Sequence, residues 1–433
     1  MNNLRLLTAV LLSGGLLAGG QTVVSLEEIF STAEANSVQL RPSLTAVEEA
    51  RHDIDVAKNA LLPEINSSFS LSYIADGFTT RRNFSDYQRA EIPHLGNGLS
   101  VSIEQPVYTG GAITKSIELA ELKLTASRFA ADFKRDNLRF SLAGFYLDLY
   151  KYYNLQSVVE SNIAAARSVL ENMKSRYKAG TALLNDITRY ELLISNLELD
   201  LTRINNTITV LNTNLVTIAG MDPDTSIRPD SALLLRSMPE CSVGQWQEFA
   251  RENSPAISLA RSEVEISRKA EALVRTERLP KIGIRGGWSI DGPILVEVPP
   301  INRNLSYWYV GVGVSYNISS LYKNNRSLAK SRVSTLHAIE KLDATCQDVE
   351  LSLHADHVRY LEAFEELKSR DKAVELADRN YRTTSTRYAA GMALVTDMLD
   401  AANACLDAQQ QRVNARINII YYYYKLLFTS GKI

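Results

Sequence analysis

The 433-residue sequence has few cysteines, no excess of basic residues and no catalytic motif. Its three cysteines, Cys241, Cys346 and Cys405, lie far apart without the spacing of metal ligands, so we interpret them as packing residues. The formal net charge of −2 argues against a nucleic-acid partner, which would require a basic face. Because no nucleophile elbow, phosphate-binding loop or zincin motif occurs, the sequence predicts neither an enzyme nor a resident metal or cofactor.

Long apolar runs are also scarce. The run Leu6 to Ala18 follows Arg5, and small residues at Ala18 and Gly20 stand at the −3 and −1 positions of a cleavage site. This pattern predicts a secretory signal peptide over residues 1–20, because the run is too short and glycine-rich for a spanning helix. No later segment offers the roughly 20 apolar residues of a membrane helix. We therefore expect an exported protein that is not anchored by a helix.

Two segments of the chain repeat one another. Residues 176–186 read Arg-Tyr-Lys-Ala-Gly-Thr-Ala-Leu-Leu-Asn-Asp, and residues 387–397, 211 positions later, keep the Arg, Tyr, Ala, Gly, Ala, Leu and Asp. In both copies one apolar-periodic run stops at a glycine, Gly180 or Gly391, and another begins within a few residues. Glycine adopts the left-handed conformation that ends a helix, and Asp suits the first turn of the next helix. Each copy therefore predicts the tip of a helical hairpin.

The repetition extends over most of the chain, and we expect one pseudo-symmetric body rather than two independent domains. The first repeat is predicted over residues 21–220, with strands at about 64–76 and 98–107 and a helical hairpin at about 111–219. A connector is predicted at residues 221–243. The second repeat is predicted over residues 244–433, with strands at about 281–291 and 305–318 and a hairpin at about 321–430.

Apolar and polar residues alternate in the four predicted strands. The apolar positions are Phe69, Leu71, Tyr73, Leu99, Val101, Ile103, Ile282, Ile284, Trp288, Ile290, Trp308, Val310, Val312, Val314 and Tyr316. Such alternation is typical of a half-buried sheet or of membrane strands, which need about ten residues and carry aromatic residues near their ends. We favour membrane strands. Because four strands cannot close a barrel and a membrane tolerates no open sheet edge, the chain is expected to oligomerise, and three copies would supply twelve strands.

The predicted long helices carry heptad patterns, which indicate coiled-coil packing. The first hairpin has its predicted seam at Leu138, Leu142, Phe145, Leu149, Tyr152, Gln156, Val159, Ile163, Ala166, Leu170, Met173 and Tyr177, then at Ile187, Tyr190, Ile194, Leu197, Leu201, Ile204, Ile208, Leu211, Leu215 and Ile218. The last helix is predicted to pack through Val395, Leu399, Ala402, Leu406, Gln409, Val413, Ile417, Ile420, Tyr424 and Leu427.

The order of these parts resembles the TolC-type outer-membrane efflux protein family. The resemblance covers residues 26–431, and its most specific parts are the two Arg-Tyr-x-x-Gly tips, with Asp six residues after the Gly, and the Tyr-rich end of the last helix. It implies a mainly α fold with a β-barrel: a homotrimer whose four strands per copy form a 12-stranded barrel in outer-membrane lipid, above a 12-helix α-barrel in the periplasm of a Gram-negative bacterium. The implied function is a passive exit duct joined by a periplasmic adaptor to an inner-membrane transporter, in efflux or in type I secretion.

The resemblance also implies roles for residues at the tips. Residues matching the family's periplasmic gate are Asp186, Tyr388, Asp397 and Asp400. Residues expected to contact the adaptor are Gly180, Thr181, Ala182, Leu183, Gly391, Met392, Ala393 and Leu394. An arginine that ties the gate shut in the family's best-known member corresponds to Ala393 here, so that particular tie is absent.

Alternatives remain open from the sequence. One interpretation of Asp397 and Asp400 is an acidic ring around a three-fold axis, and the other is that they cap the helix. The tip glycines are interpreted either as part of a partner-binding surface or as residues that only end their helices. Glu350, His354 and His357 share one helical face and could hold a metal, although a solvated helix surface is the better interpretation. The alternative function is an exported coiled-coil scaffold without a channel. The sequence does not name the cargo.

Overall fold

We describe residues 22–230, 241–297 and 299–433 of a computed structural model. The predicted signal peptide, residues 1–20, and residues 231–240 of the predicted connector lie outside the described residues. Of the described residues, 22–42, 132–230, 241–255 and 347–433 form one compact unit, and 43–131 and 256–346 form a second. Each unit combines segments of both sequence repeats.

Apart from one additional strand pair in the first passage, the same order of elements occurs twice, which confirms the predicted tandem repeat of long helices and paired strands. The first passage contains β1 (Thr22–Val24), α1 (Leu26–Asn36), α2 (Arg41–Asn59), β2 (Glu64–Tyr73), β3 (Gly77–Thr79), β4 (Gln88–Ala90), β5 (Leu95–Tyr108), α3 (Ala112–Lys178) and α4 (Leu184–Ala219). The second contains β6 (Ile227–Pro229), α5 (Val243–Asn253), α6 (Pro255–Thr276), β7 (Lys281–Gly292), β8 (Leu305–Ser315), α7 (Ser320–Ala389) and α8 (Val395–Ser430). None of the described helices has both the length and the apolarity needed to cross a membrane.

The second unit contains an antiparallel sheet in the order β2-β5-β7-β8. Its register places apolar residues of all four strands on one face: Phe69 of β2 pairs with Leu99 of β5, Val101 of β5 pairs with Trp288 of β7, and Trp288 pairs with Trp308 of β8. The other face is polar: the Ser68 and Ser100 hydroxyls lie 2.9 Å apart. The apolar face is open in the single chain, where Trp308 is 74% exposed. Among the described strands, β2 and β8 have a neighbour in this sheet on one side only.

Some strand limits differ from the sequence analysis. Gly96, which precedes the predicted strand start at about 98, lies inside β5 and pairs with Ser72. The loop between β2 and β5 also contains the short antiparallel pair β3–β4, which the sequence analysis did not predict. Strand β8 ends at Ser315 rather than near 318, because the Ser320 N–H donates to the Asn317 carbonyl (2.9 Å) in the turn before α7.

The first unit has its core along the helix seams. Val159, Ile163 and Met173 of α3 pack with Ile187 and Ile194 of α4, so the heptad pattern of the first hairpin is confirmed over these residues. Its last predicted position is wrong, because Tyr177 is 45% exposed. A second cluster joins α3 and α4 to α1 and the β1–β6 pair. Tyr146 lies in that cluster.

The predicted seam of α8 is partly wrong. The buried residues over its first half are the predicted Val395 and, in addition, Met398, Ala401, Cys405 and Ala408. The predicted Leu399 and Leu406 are half-buried and pack against the cluster of α3 and α4, and Ala402 and Gln409 are half-buried. The buried stripe is thus shifted by one residue and is built mostly from small side chains. Small side chains allow neighbouring helix backbones to approach closely, and in this alanine-rich helix the spacing alone does not distinguish Ala401 from the predicted Ala402.

Candidate functional site

The two predicted hairpin tips have the same backbone structure. Gly180 and Gly391 both have φ of +74°, the left-handed conformation that ends a helix. In the first tip the Thr181 N–H donates to the Arg176 carbonyl (2.9 Å), and in the second the Met392 N–H donates to the Arg387 carbonyl (2.8 Å). A Cβ atom at either glycine would meet no atom within 4 Å. Glycine is therefore required at the tips for its backbone conformation rather than for lack of space.

Most of the residues predicted to contact an adaptor lie on the surface of the single chain. Gly180, Thr181, Leu183, Gly391, Met392 and Leu394 are exposed, and Ala182 and Ala393 are half-buried. Three of the exposed side chains are large and apolar, with Met392 71% exposed. Each tip thus presents apolar side chains beside unhindered backbone, a surface that a helical partner could cover.

Among the predicted gate residues, Tyr388 is influenced by the charge of Asp186. Tyr388, in the last turn of α7, is half-buried and packs against the cluster formed by α3 and α4. Burial raises the pKa of its phenol; the negative charge of Asp186 raises this pKa further, and the nearby Arg176 guanidinium lowers it. The first tip and the end of α7 are therefore electrostatically coupled within one chain.

Arg176 is a residue of this site that the sequence analysis did not assign. Its Nη1 donates to the Tyr388 carbonyl (3.0 Å), and its guanidinium lies 5.3 Å from the centre of the Tyr388 ring. The signal that could have found it is the repeated Arg of the tip motif. That signal is ambiguous, because the equivalent Arg387 contacts the Met392 carbonyl of its own tip, at 3.5 Å.

The remaining predicted gate residues, Asp397 and Asp400, are exposed at the start of α8. The Asp397 carboxylate accepts a hydrogen bond from the Leu394 N–H (3.1 Å), so Asp397 caps the helix. Asp400 lies three residues further along the helix and therefore on the same face as Asp397. Within the single chain Asp397 therefore caps α8. A ring of carboxylates would form only in an assembly of several chains.

Two further tyrosines, Tyr190 and Tyr381, lie near the tips. Tyr190 is buried in the cluster of α3 and α4 against which Tyr381 packs, and burial raises the pKa of both phenols. Tyr381 and Tyr388 are seven residues apart and pack against the same cluster of α3 and α4. The last two turns of α7 are thus attached to the first hairpin through aromatic side chains.

Two of the three residues considered for a metal site, Glu350 and His357, have other partners. Glu350 accepts a hydrogen bond from Arg251 (2.8 Å), and His357 Nε2 lies 3.1 Å from the Cys241 carbonyl oxygen. Across residues 22–230, 241–297 and 299–433, no group of three or more His, Cys, Asp or Glu side chains is arranged to hold a metal ion.

Comparisons with known proteins agree on one family. A family model described as outer membrane efflux protein matches residues 29–220 and 246–421. The outer membrane protein TolC of Vibrio cholerae is 23% identical over 94% of this chain and 90% of its own length. The outer membrane efflux protein BepC of Brucella suis is 21% identical over 98% of this chain and 89% of its own length. The crystal structure of VceC from Vibrio cholerae has a TM-score of 0.76 at 16% identity, covering 94% of this chain and 96% of that one.

Proposed function

Because this chain belongs to the outer membrane efflux protein family, we propose that it is the outer-membrane exit duct of a multi-component export system. The observation that carries the proposal is the four-stranded sheet with one polar face and one open apolar face. The apolar side chains of such a face are stable only when lipid or protein covers them. The family match supports lipid, and thus an outer-membrane location.

The assembly we propose is a homotrimer. A sheet whose outer strands lack a second neighbour cannot remain open in a membrane, because unpaired backbone groups are costly there. Three copies would pair β8 of one chain with β2 of the next and close a barrel of twelve strands, with the apolar faces toward lipid. The same symmetry would arrange the four long helices of each chain into a tunnel of twelve.

The long helices support a duct that reaches into the periplasm. Helix α3 has 67 residues and α7 has 70. At about 1.5 Å per residue each is roughly 100 Å long. We propose that the tips at Gly180 and Gly391 bind a periplasmic adaptor that links the duct to an inner-membrane transporter, with Asp186, Tyr388, Asp397 and Asp400 forming the gate beside them.

The duct and the channel-less scaffold differ in extraction and conductance. We expect the protein to resist carbonate extraction, to require detergent, and to migrate as a trimer that dissociates on heating. Reconstituted in planar bilayers, the trimer should conduct ions. Release by carbonate together with absence of conductance would reject the duct and leave the scaffold.

A further inference from the structure

We propose that Arg176 is a latch that holds the end of α7 to the first hairpin and thereby keeps the mouth of the duct narrow. This inference rests on the proposed function, because it assigns a positioning role at the gate. The contact itself lies within one chain, whereas its effect on the mouth of the duct depends on the proposed trimer.

The geometry gives Arg176 two contacts with one residue of the other repeat. Its Nη1 donates a 3.0 Å hydrogen bond to the Tyr388 carbonyl. Its guanidinium carbon lies 5.3 Å from the centre of the Tyr388 ring, within the range of a cation–π interaction. One side chain therefore restrains both the backbone and the ring of Tyr388.

The position of Tyr388 makes this contact effective. The residue lies one position before the end of α7 at Ala389. Carbonyls in the last turn of a helix lack intrahelical partners and carry the negative end of the helix dipole. The Tyr388 carbonyl already accepts from the Gly391 N–H (3.0 Å), and Arg176 uses its second lone pair. The Arg176 guanidinium of α3 thus caps the end of α7. If the second tip moved away from the first, water would replace this guanidinium at the Tyr388 carbonyl.

The internal repeat supplies a matched control. Arg387 occupies the position in the second tip that Arg176 occupies in the first. Its guanidinium contacts the Met392 carbonyl, five residues along its own chain, at 3.5 Å. Both arginines carry the same charge at the same place in the same motif, but only Arg176 is seen to connect the two hairpins. Loss of Arg387 should therefore leave the hairpins joined.

The experiment compares R176A, R176Q, R176K and R387A as detergent-purified trimers in planar bilayers. Removing a hydrogen bond to a charged group together with a cation–π contact should raise the open fraction about tenfold in R176A and R176Q. R387A should behave as wild type. R176K should be intermediate, because an ammonium keeps the charge but not the planar stacking. Trimer migration and helix content are checked for each variant, and R176Q retains the size of the side chain if R176A fails to assemble.

Hydrogen exchange gives a second readout that needs no conductance. Amides in the last turns of α3 and α7 should exchange faster in R176A than in R387A. Equal conductance and equal exchange in these two variants would overturn the latch. If wild-type trimers do not conduct, the proposed function fails, whereas the exchange comparison still decides whether Arg176 joins the hairpins.

Discussion

The amphipathic sheet leads to a sharp prediction at two neighbouring residues of β5. Val101 lies on the apolar face, where it pairs with Ser67 on one side and Trp288 on the other. Ser102 follows it on the polar face, paired with Asn66. The two residues lie at the same depth near the middle of the strand and point in opposite directions. Arginine at each position therefore compares two faces at one depth.

The expected difference is large. An arginine on the lipid face near the bilayer midplane costs about 2–4 kcal/mol, and a lumen-facing charge costs much less. Val101→Arg should therefore reduce the equilibrium constant for folding into lipid about 30- to 700-fold. Ser102→Arg, and likewise Ser100→Arg, should change it far less.

Folding into phosphatidylcholine vesicles, titrated with urea, measures this difference. Two of the three tryptophans, Trp288 and Trp308, belong to the apolar face, so their fluorescence reports insertion. Brominated lipid should quench the fluorescence of Trp308, which is 74% exposed in the single chain. Equal destabilisation by both arginines, with no quenching by brominated lipid, would show that protein rather than lipid covers this face.

Three further predictions concern the tips and the core. Ala182→Trp should abolish export while trimers still form, because a bulky ring would block the tip surface; retained export would exclude the tips as the docking surface. Asp400→Ala should weaken the preference of the channel for cations and its block by divalent cations from the periplasmic side. Asp397→Ala should have the same effects and should also destabilise the start of α8 by about 1 kcal/mol. Unchanged ion selectivity in the variant carrying both substitutions would reject the carboxylate ring. Burial raises the pKa of Tyr146 to about 12, so the folded state retains a proton that the unfolded state loses near pH 10, and stability should fall by up to about 3 kcal/mol between pH 10 and 12. Denaturant titrations should show that this alkaline loss is smaller in Tyr146→Phe, and an equal loss in both proteins would contradict the assignment.

The sequence by itself contained the local information. The two tips could be predicted because a left-handed residue at positions 180 and 391 is nearly obligatory glycine, and because the surrounding motif is repeated. The strand faces could be predicted because successive side chains of a strand alternate between its two sides. The seam between α3 and α4 followed from spacing alone, since Val159, Ile163 and their neighbours are large and apolar.

The tertiary structure decided which partner each side chain has. The α8 seam shifted toward Ala401 and Cys405 because close packing between several helices selects small residues, a preference that depends on neighbours distant in sequence. Arg176 and Arg387 have the same motif around them, yet the first reaches across to Tyr388 and the second contacts its own tip. Periodicity and capping depend on residues a few positions apart along the chain. Contacts between helices depend on how distant segments pack against each other. Two copies of one motif therefore cannot show which copy contacts the other repeat.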